Sequence, residues 1–149
     1  MRLYLPLVCL ALLHTIVDTS ALLVSPLWDR ITVECRLAGL SLVGVMLAHS
    51  MPTSLAQGVF GFLRERKRLR WLMFAGPVLA VVCLTAVGGV AAEGRVAWLC
   101  ALFVVGGVSV GAFHPEAAVR AGTLLPGNRT RGLSILCSVV RWGCHWGRY

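Results

Sequence analysis

At 149 residues, with 58% hydrophobic and only 13% charged side chains and a mean hydropathy of +0.81, the chain is too apolar for a water-soluble domain, which carries about 25% charged residues to cover its core. It has the composition of an integral membrane protein, with room for four or five spans of roughly 20 residues each. Its formal charge of +8 would suggest nucleic acid in a soluble chain, but here the basic residues sit in short loops between apolar runs and act as topology signals, so no nucleic-acid partner is expected.

The first span is expected over about residues 3–27, too long a run for the apolar segment of a signal peptide. It holds His14 and Asp18 at i, i+4, on one helix face, with Thr15, Thr19 and Ser20 around them. A charged carboxylate at membrane depth costs on the order of 3 kcal/mol and is seldom kept without a partner or a water-filled cavity. The pair therefore reads as a substrate- or proton-handling face, or else as a hydrogen-bonded structural pair between helices. The second span covers about residues 37–63, with a kink expected at Pro52. His49 lies mid-span beside Ser50, with Thr53, Ser54 and Gln57 following as a second polar stripe; a lone histidine of this kind is more often packed than functional.

Next comes Arg64-Glu65-Arg66-Lys67-Arg68, preceded by Gly58 and Gly61, whose i, i+3 spacing allows two helices to approach closely. Glu65 beside these arginines could latch one helix end to another, and the same stretch reads equally as a solvated basic loop. A third span is expected over residues 71–92 and a fourth over 96–113. The fourth contains Gly107-x-x-x-Gly111 and runs into Phe113-His114-Pro115-Glu116, where proline is expected to break the helix. A fifth apolar run, residues 132–140, meets Arg141 and gives way to an atypical tail over 141–149.

Basic and neutral loops alternate along this order. The positive-inside rule then puts the N-terminus and both basic loops in the cytoplasm. Asn128-Arg129-Thr130 matches a glycosylation sequon but falls on the cytoplasmic side, where it would not be modified. The six cysteines form no C-x-x-C pair and read as small apolar residues, so neither a metal nor a cofactor is expected. No G-x-S-x-G, H-E-x-x-H or P-loop motif is present, and nothing in the sequence argues for an enzyme.

Three of these motifs carry a family resemblance. Gly106 to Ala112 followed by Phe113-His114-Pro115-Glu116 resembles the fourth-helix end of fosmidomycin-resistance-type transporters of the major facilitator superfamily. His14-x-x-x-Asp18 is similar to a His and Asp at the same spacing in that family's first helix. Gln57 to Gly61 with Glu65-Arg66 resembles the superfamily's G-x-x-x-D-R/K loop between helices two and three, with Glu65 where Asp is usual; the glycine that usually follows the acid is not evident in Lys67-Arg68-Leu69. Together the motifs cover about residues 10–140.

The resemblance implies an all-α polytopic bundle, the four to five spans of a superfamily N-terminal half, in a bacterial inner membrane. It implies proton-coupled efflux of a small molecule, often a drug, by alternating access. Asp18, with His14 and His49, would handle substrate or proton. Gly61, Glu65 and Arg66 would form the cytoplasmic latch. Phe113, His114, Pro115 and Glu116 would close the fourth helix. Such transporters have two six-helix halves, so a C-terminal half would be missing, and the change of composition after Val140 suggests a truncated or frameshifted reading frame. The alternative is a small four-helix membrane subunit with a structural or assembly role.

Overall fold

The computed structural model describes residues 4–66, 69–125 and 127–136. Among these the chain is all-α, with no strand. The elements are α1 (Tyr4–Leu22), α2 (Val24–Glu34), α3 (Leu40–Arg66), α4 (Leu72–Ala92) and α5 (Val96–Leu124); residues 129–136 form a further helical segment, α6. The tail 141–149 and the end of the fifth expected span, 137–140, lie outside the described residues.

Among the described residues, three helices are long and apolar enough to cross a membrane: the combined α1–α2 stretch Leu5–Glu34, α4 and α5. The first is interrupted only at Leu23, which keeps right-handed helical angles and donates its N–H to the Thr19 carbonyl at 2.9 Å. Pro26 explains the break, since it cannot donate to the Leu22 carbonyl and its ring crowds that group. The first span thus reaches Glu34, seven residues beyond the expected end.

The fourth expected span also runs on. Helix α5 passes through Pro115 to Leu124, so the proline does not end it near Phe113. The carbonyl Pro115 would crowd belongs to Gly111, whose missing side chain gives the backbone room to adjust, and α3 packs along this stretch. Phe113 to Glu116 therefore lies inside a 29-residue helix and not at its end. Pro52 and Pro77 are likewise held within α3 and α4.

Helix directions follow from which residues meet. Gly107 lies against Pro52 and Thr53, Gly111 against Thr53 and Ala56, and Arg64 reaches Glu116, so α3 and α5 run parallel. Gly76 lies against Ser109 and Phe113 while Gly106 lies against Leu84, so α4 runs antiparallel to α5. His14 meets Phe113, and Trp28 meets Phe103, so the first span is antiparallel to α5 as well. The Cys35 thiol donates to the Ala91 carbonyl at 3.6 Å, placing the ends of α2 and α4 side by side. The four long segments thus alternate in direction in chain order. The turns 35–39 and 93–95 share one end of the bundle, and Arg64, Arg70 and Arg120 share the other.

The core between these helices holds Leu7, Val17, Val24, Ile31, Val45, Val87, Leu99, Phe103 and Phe113, each nearly sealed from the surface. The outside is also apolar: Leu5, Val8, Leu12 and Ile16 on α1, and Val43, Leu47, Met51, Leu55, Val59 and Phe62 on α3, stand exposed at helical spacing. A helix apolar on every side suits a lipid surround. Hydroxyls inside the helices are satisfied locally: Thr15, Ser20, Ser50 and Ser109 each donate to the carbonyl four residues back, at 2.7–2.9 Å.

Candidate functional site

The polar residues of the first span and of the Phe-His-Pro-Glu motif, 96 residues apart in sequence, meet at the α1–α5 crossing. On α1, His14 and Asp18 project from the same face, with His14 Nδ1 3.4 Å from Asp18 Oδ2. From α5, His114 Nε2 comes to 3.1 Å from Asp18 Oδ1. The two imidazoles meet edge to face with centroids 4.8 Å apart, and the Phe113 ring stands 5.9 Å from His14. His14 is buried, and the side chains of Asp18 and His114 are only 17% and 24% exposed. Neither end of the two spans is near: at 1.5 Å per residue the site lies about 15 Å from Tyr4 and about 24 Å from Glu34 along the first span, and about 15 Å from Leu124 along α5.

Hydrogen bonding fixes the state of one ring. His114 Nδ1 lies 2.7 Å from the Val110 carbonyl oxygen. A carbonyl only accepts, so Nδ1 carries the hydrogen and donates it. In the neutral ring, Nε2 is then a bare lone pair aimed at a carboxylate oxygen. Two lone pairs at that distance repel unless a proton or a metal cation lies between them; without a metal, His114 Nε2–H donates to Asp18 or a protonated Asp18 donates to Nε2. His14 Nδ1 has the complementary peculiarity: it is buried, and it is the side-chain nitrogen or oxygen that finds no hydrogen-bond partner among the described residues. The nearby Asp18 oxygen is close but out of line. A buried polar atom without a partner is costly.

Glu116, two residues beyond His114, belongs to a second cluster. Its side chain is 3% exposed, accepts a hydrogen bond from Arg64 Nε at 2.7 Å, and has Arg120 Nε at 3.8 Å. Arg64, Arg70, Glu116, Arg120 and Thr123 line a polar cavity of about 320 Å³ at that end of the bundle. Two cations on one buried carboxylate satisfy its charge and bind the end of α3 to α5.

The remaining expected site residues lie elsewhere. His49 packs edge-on against Phe103 at 5.0 Å and beside Trp28 at 5.8 Å. With Ser50, Thr53, Ser54, Ala21 and Gly107 it lines a cavity of about 230 Å³ between α1, α3 and α5. Gly61 and Gly58 face open space and mediate no close approach; Gly107 and Gly111 do. Glu65 is exposed, and Arg66 lies over the Phe62 ring of its own helix at 4.6 Å. Lys67 and Arg68 lie outside the described residues.

Sequence reasoning missed Arg64 as the partner of Glu116, because the two are 52 residues apart and share no local pattern. It also missed the meeting of His114 with Asp18, for the same reason. The available signal was the scarcity of acids: six in the whole chain, with Asp18 the one acid of α1 and Glu116 the one acid of α5.

Comparison with known protein families, with curated proteins and with solved structures finds no match. The site therefore rests on its own geometry.

Proposed function

We propose that this chain forms part of a membrane transporter of the major facilitator type, moving a small molecule by alternating access, with Asp18 as the residue that couples cation and substrate movement. The observation that carries the reading is Asp18 itself: a carboxylate held between imidazoles from two different helices, inside the first span and beside the interior of α5. Ionisable groups inside spans mark ion and substrate pathways more often than structural bonds. The cavity at His49 supports the same reading, since His49, Ser50, Thr53 and Ser54 of α3 place polar groups on an otherwise apolar cavity wall between the helices.

In this reading α3 is a fourth span. Its 27 residues extend about 40 Å, more than the hydrocarbon thickness of about 30 Å. Exposed Val43, Leu47, Met51, Leu55, Val59 and Phe62 make an apolar face, and its hydropathy is lowered by the polar residues from His49 to Gln57 and by Arg64, Glu65 and Arg66 at its end. Directions that alternate along the chain are what four successive crossings require. The N-terminus and the arginine-rich end would then lie in the cytoplasm, with the Arg64–Glu116 pair as a latch and Gly61, Glu65 and Arg66 as its surface. A second helix bundle, facing the one described, would complete the transport pathway, and the coupling ion implied by the resemblance is a proton.

The test is accumulation of a panel of small antibacterial compounds in a susceptible host expressing the chain within a completed reading frame that supplies the second bundle, compared with Asp18→Asn and with an inserted, inactive control. Expression should lower accumulation of at least one compound, and Asp18→Asn should abolish the effect at equal membrane abundance. Unchanged accumulation across the panel, with the chain correctly inserted, would instead favour the small structural subunit.

A further inference from the structure

We propose that His14, Asp18 and His114 form a binding site for one divalent transition-metal ion of the zinc class, which would tie α1 to α5. The three side chains offer two imidazole nitrogens and a carboxylate oxygen, all within 4.8 Å of one another. In a tetrahedral site with bonds of about 2.0–2.1 Å, neighbouring ligand atoms stand about 3.3 Å apart. The two nitrogens approach the carboxylate from opposite sides, His14 Nδ1 at 3.4 Å from Asp18 Oδ2 and His114 Nε2 at 3.1 Å from Asp18 Oδ1. Binding one ion would require the carboxylate and the rings to turn toward a common centre.

Two independent features point to a cation at this place. The first is the bare, buried Nδ1 of His14, which a metal would engage. The second is the bond from His114 Nδ1 to the Val110 carbonyl. Metal-binding histidines are commonly oriented in this way: the far nitrogen donates to a carbonyl, which fixes the tautomer and turns the other lone pair toward the ion. The donor set selects the metal class. Two imidazoles exclude magnesium and calcium, which take oxygen ligands, and the absence of thiolate among the three disfavours copper(I). A water would take the fourth position, as in sites with three protein ligands. The expectation of no metal came from the cysteines; these ligands are instead gathered from two helices that the sequence keeps far apart.

The inference shares residues with the transport reading but does not need it, because binding is measured on the purified chain with no transported compound. Full-length protein in detergent, stripped of metal, is titrated with Zn2+ against a competing chelator, and with Co2+ as a spectroscopic probe. One equivalent should bind, with the visible absorption of tetrahedral Co2+ and without thiolate charge-transfer bands. His14→Gln, Asp18→Asn and His114→Gln should each weaken binding by about 10–100-fold. His49→Gln and the double substitution Cys144→Ser/His145→Gln should leave it unchanged. X-ray absorption on the unaltered Zn2+ protein should show two imidazoles and low-atomic-number ligands only, a result that does not depend on whether a variant folds. No binding, sulfur in the metal shell, or affinity unchanged in His14→Gln and His114→Gln would each overturn the proposal.

Discussion

Replacing Gly111 by alanine tests the central packing contact of the bundle. A Cβ there would meet the Thr53 carbonyl oxygen at 2.5 Å, the Ala56 Cβ at 2.7 Å and the Gln57 nitrogen at 3.0 Å. An ordinary contact is about 3.5 Å, so the closest approach falls short by about 1.0 Å (3.5 − 2.5). Two of the three obstacles are backbone atoms of α3, which cannot swing aside as a side chain would. The whole of α3 must retreat from α5, which also loosens the neighbouring contacts at Gly107 and strains the Arg64–Glu116 bond. Overpacking of this kind costs about 1–3 kcal/mol; at 2 kcal/mol the folded-to-unfolded ratio falls about 30-fold.

The assay for this substitution is reversible unfolding in mixed detergent micelles, followed by tryptophan fluorescence. Trp28 is a suitable reporter because it sits against His49 and Phe103 between the helices. Gly61→Ala is the control: that position faces open space within α3, so alanine should be neutral or stabilising by up to about 1 kcal/mol through helix propensity. A Gly111→Ala protein that unfolds at the wild-type midpoint, or a Gly61→Ala protein destabilised as much, would refute the close-packing argument.

Other consequences can be measured in the same preparation. Arg64→Gln should destabilise the bundle by about 3 kcal/mol, the lower end for a broken buried pair, because Arg120 remains near Glu116; the swap Arg64→Glu with Glu116→Arg should recover part of that loss in the unfolding midpoint. Gly107→Ala should be milder than Gly111→Ala, since its nearest neighbours stand at 3.1–3.2 Å and are side-chain atoms. Burial pushes the Cys35 thiol above its ordinary range, with the Glu34 carboxylate adding to the effect. Because the thiolate is the nucleophile, maleimide should label Cys35 slowly near neutral pH and much faster once the protein is unfolded in denaturing detergent, as mass spectrometry of the peptide would show. Equal rates in the two states would count against its burial beside Ala91.

Much of the bundle is legible in the sequence because lipid imposes a one-dimensional requirement. A segment that must bury its backbone in hydrocarbon has to be helical, long and apolar, so composition and run length locate α4 almost to the residue. The same logic blurs at prolines. Pro26 was expected to lie close to the end of its span and Pro115 to end its helix, yet both helices run on, because neighbouring helices hold the chain in place while the local hydrogen bond is lost. Run length also cannot classify α3, whose polar residues from His49 to Gln57 and charged end lower its mean hydropathy while another face remains apolar.

The sequence by itself determined the helical class, the placement of the apolar runs, and Asp18 as an acid in need of a partner or a wet cavity. It did so because the cost of a charge in an apolar span depends only on what the span is made of. Tertiary structure alone decided who the partners are. His114 reaches Asp18 and Arg64 reaches Glu116 because α5 runs antiparallel to α1 and parallel to α3, and the small residues Gly107 and Gly111 let α3 close against α5. Those pairings depend on helix direction and rotation in three dimensions, set by the fit of side chains across the crossings, and no spacing along the chain encodes them.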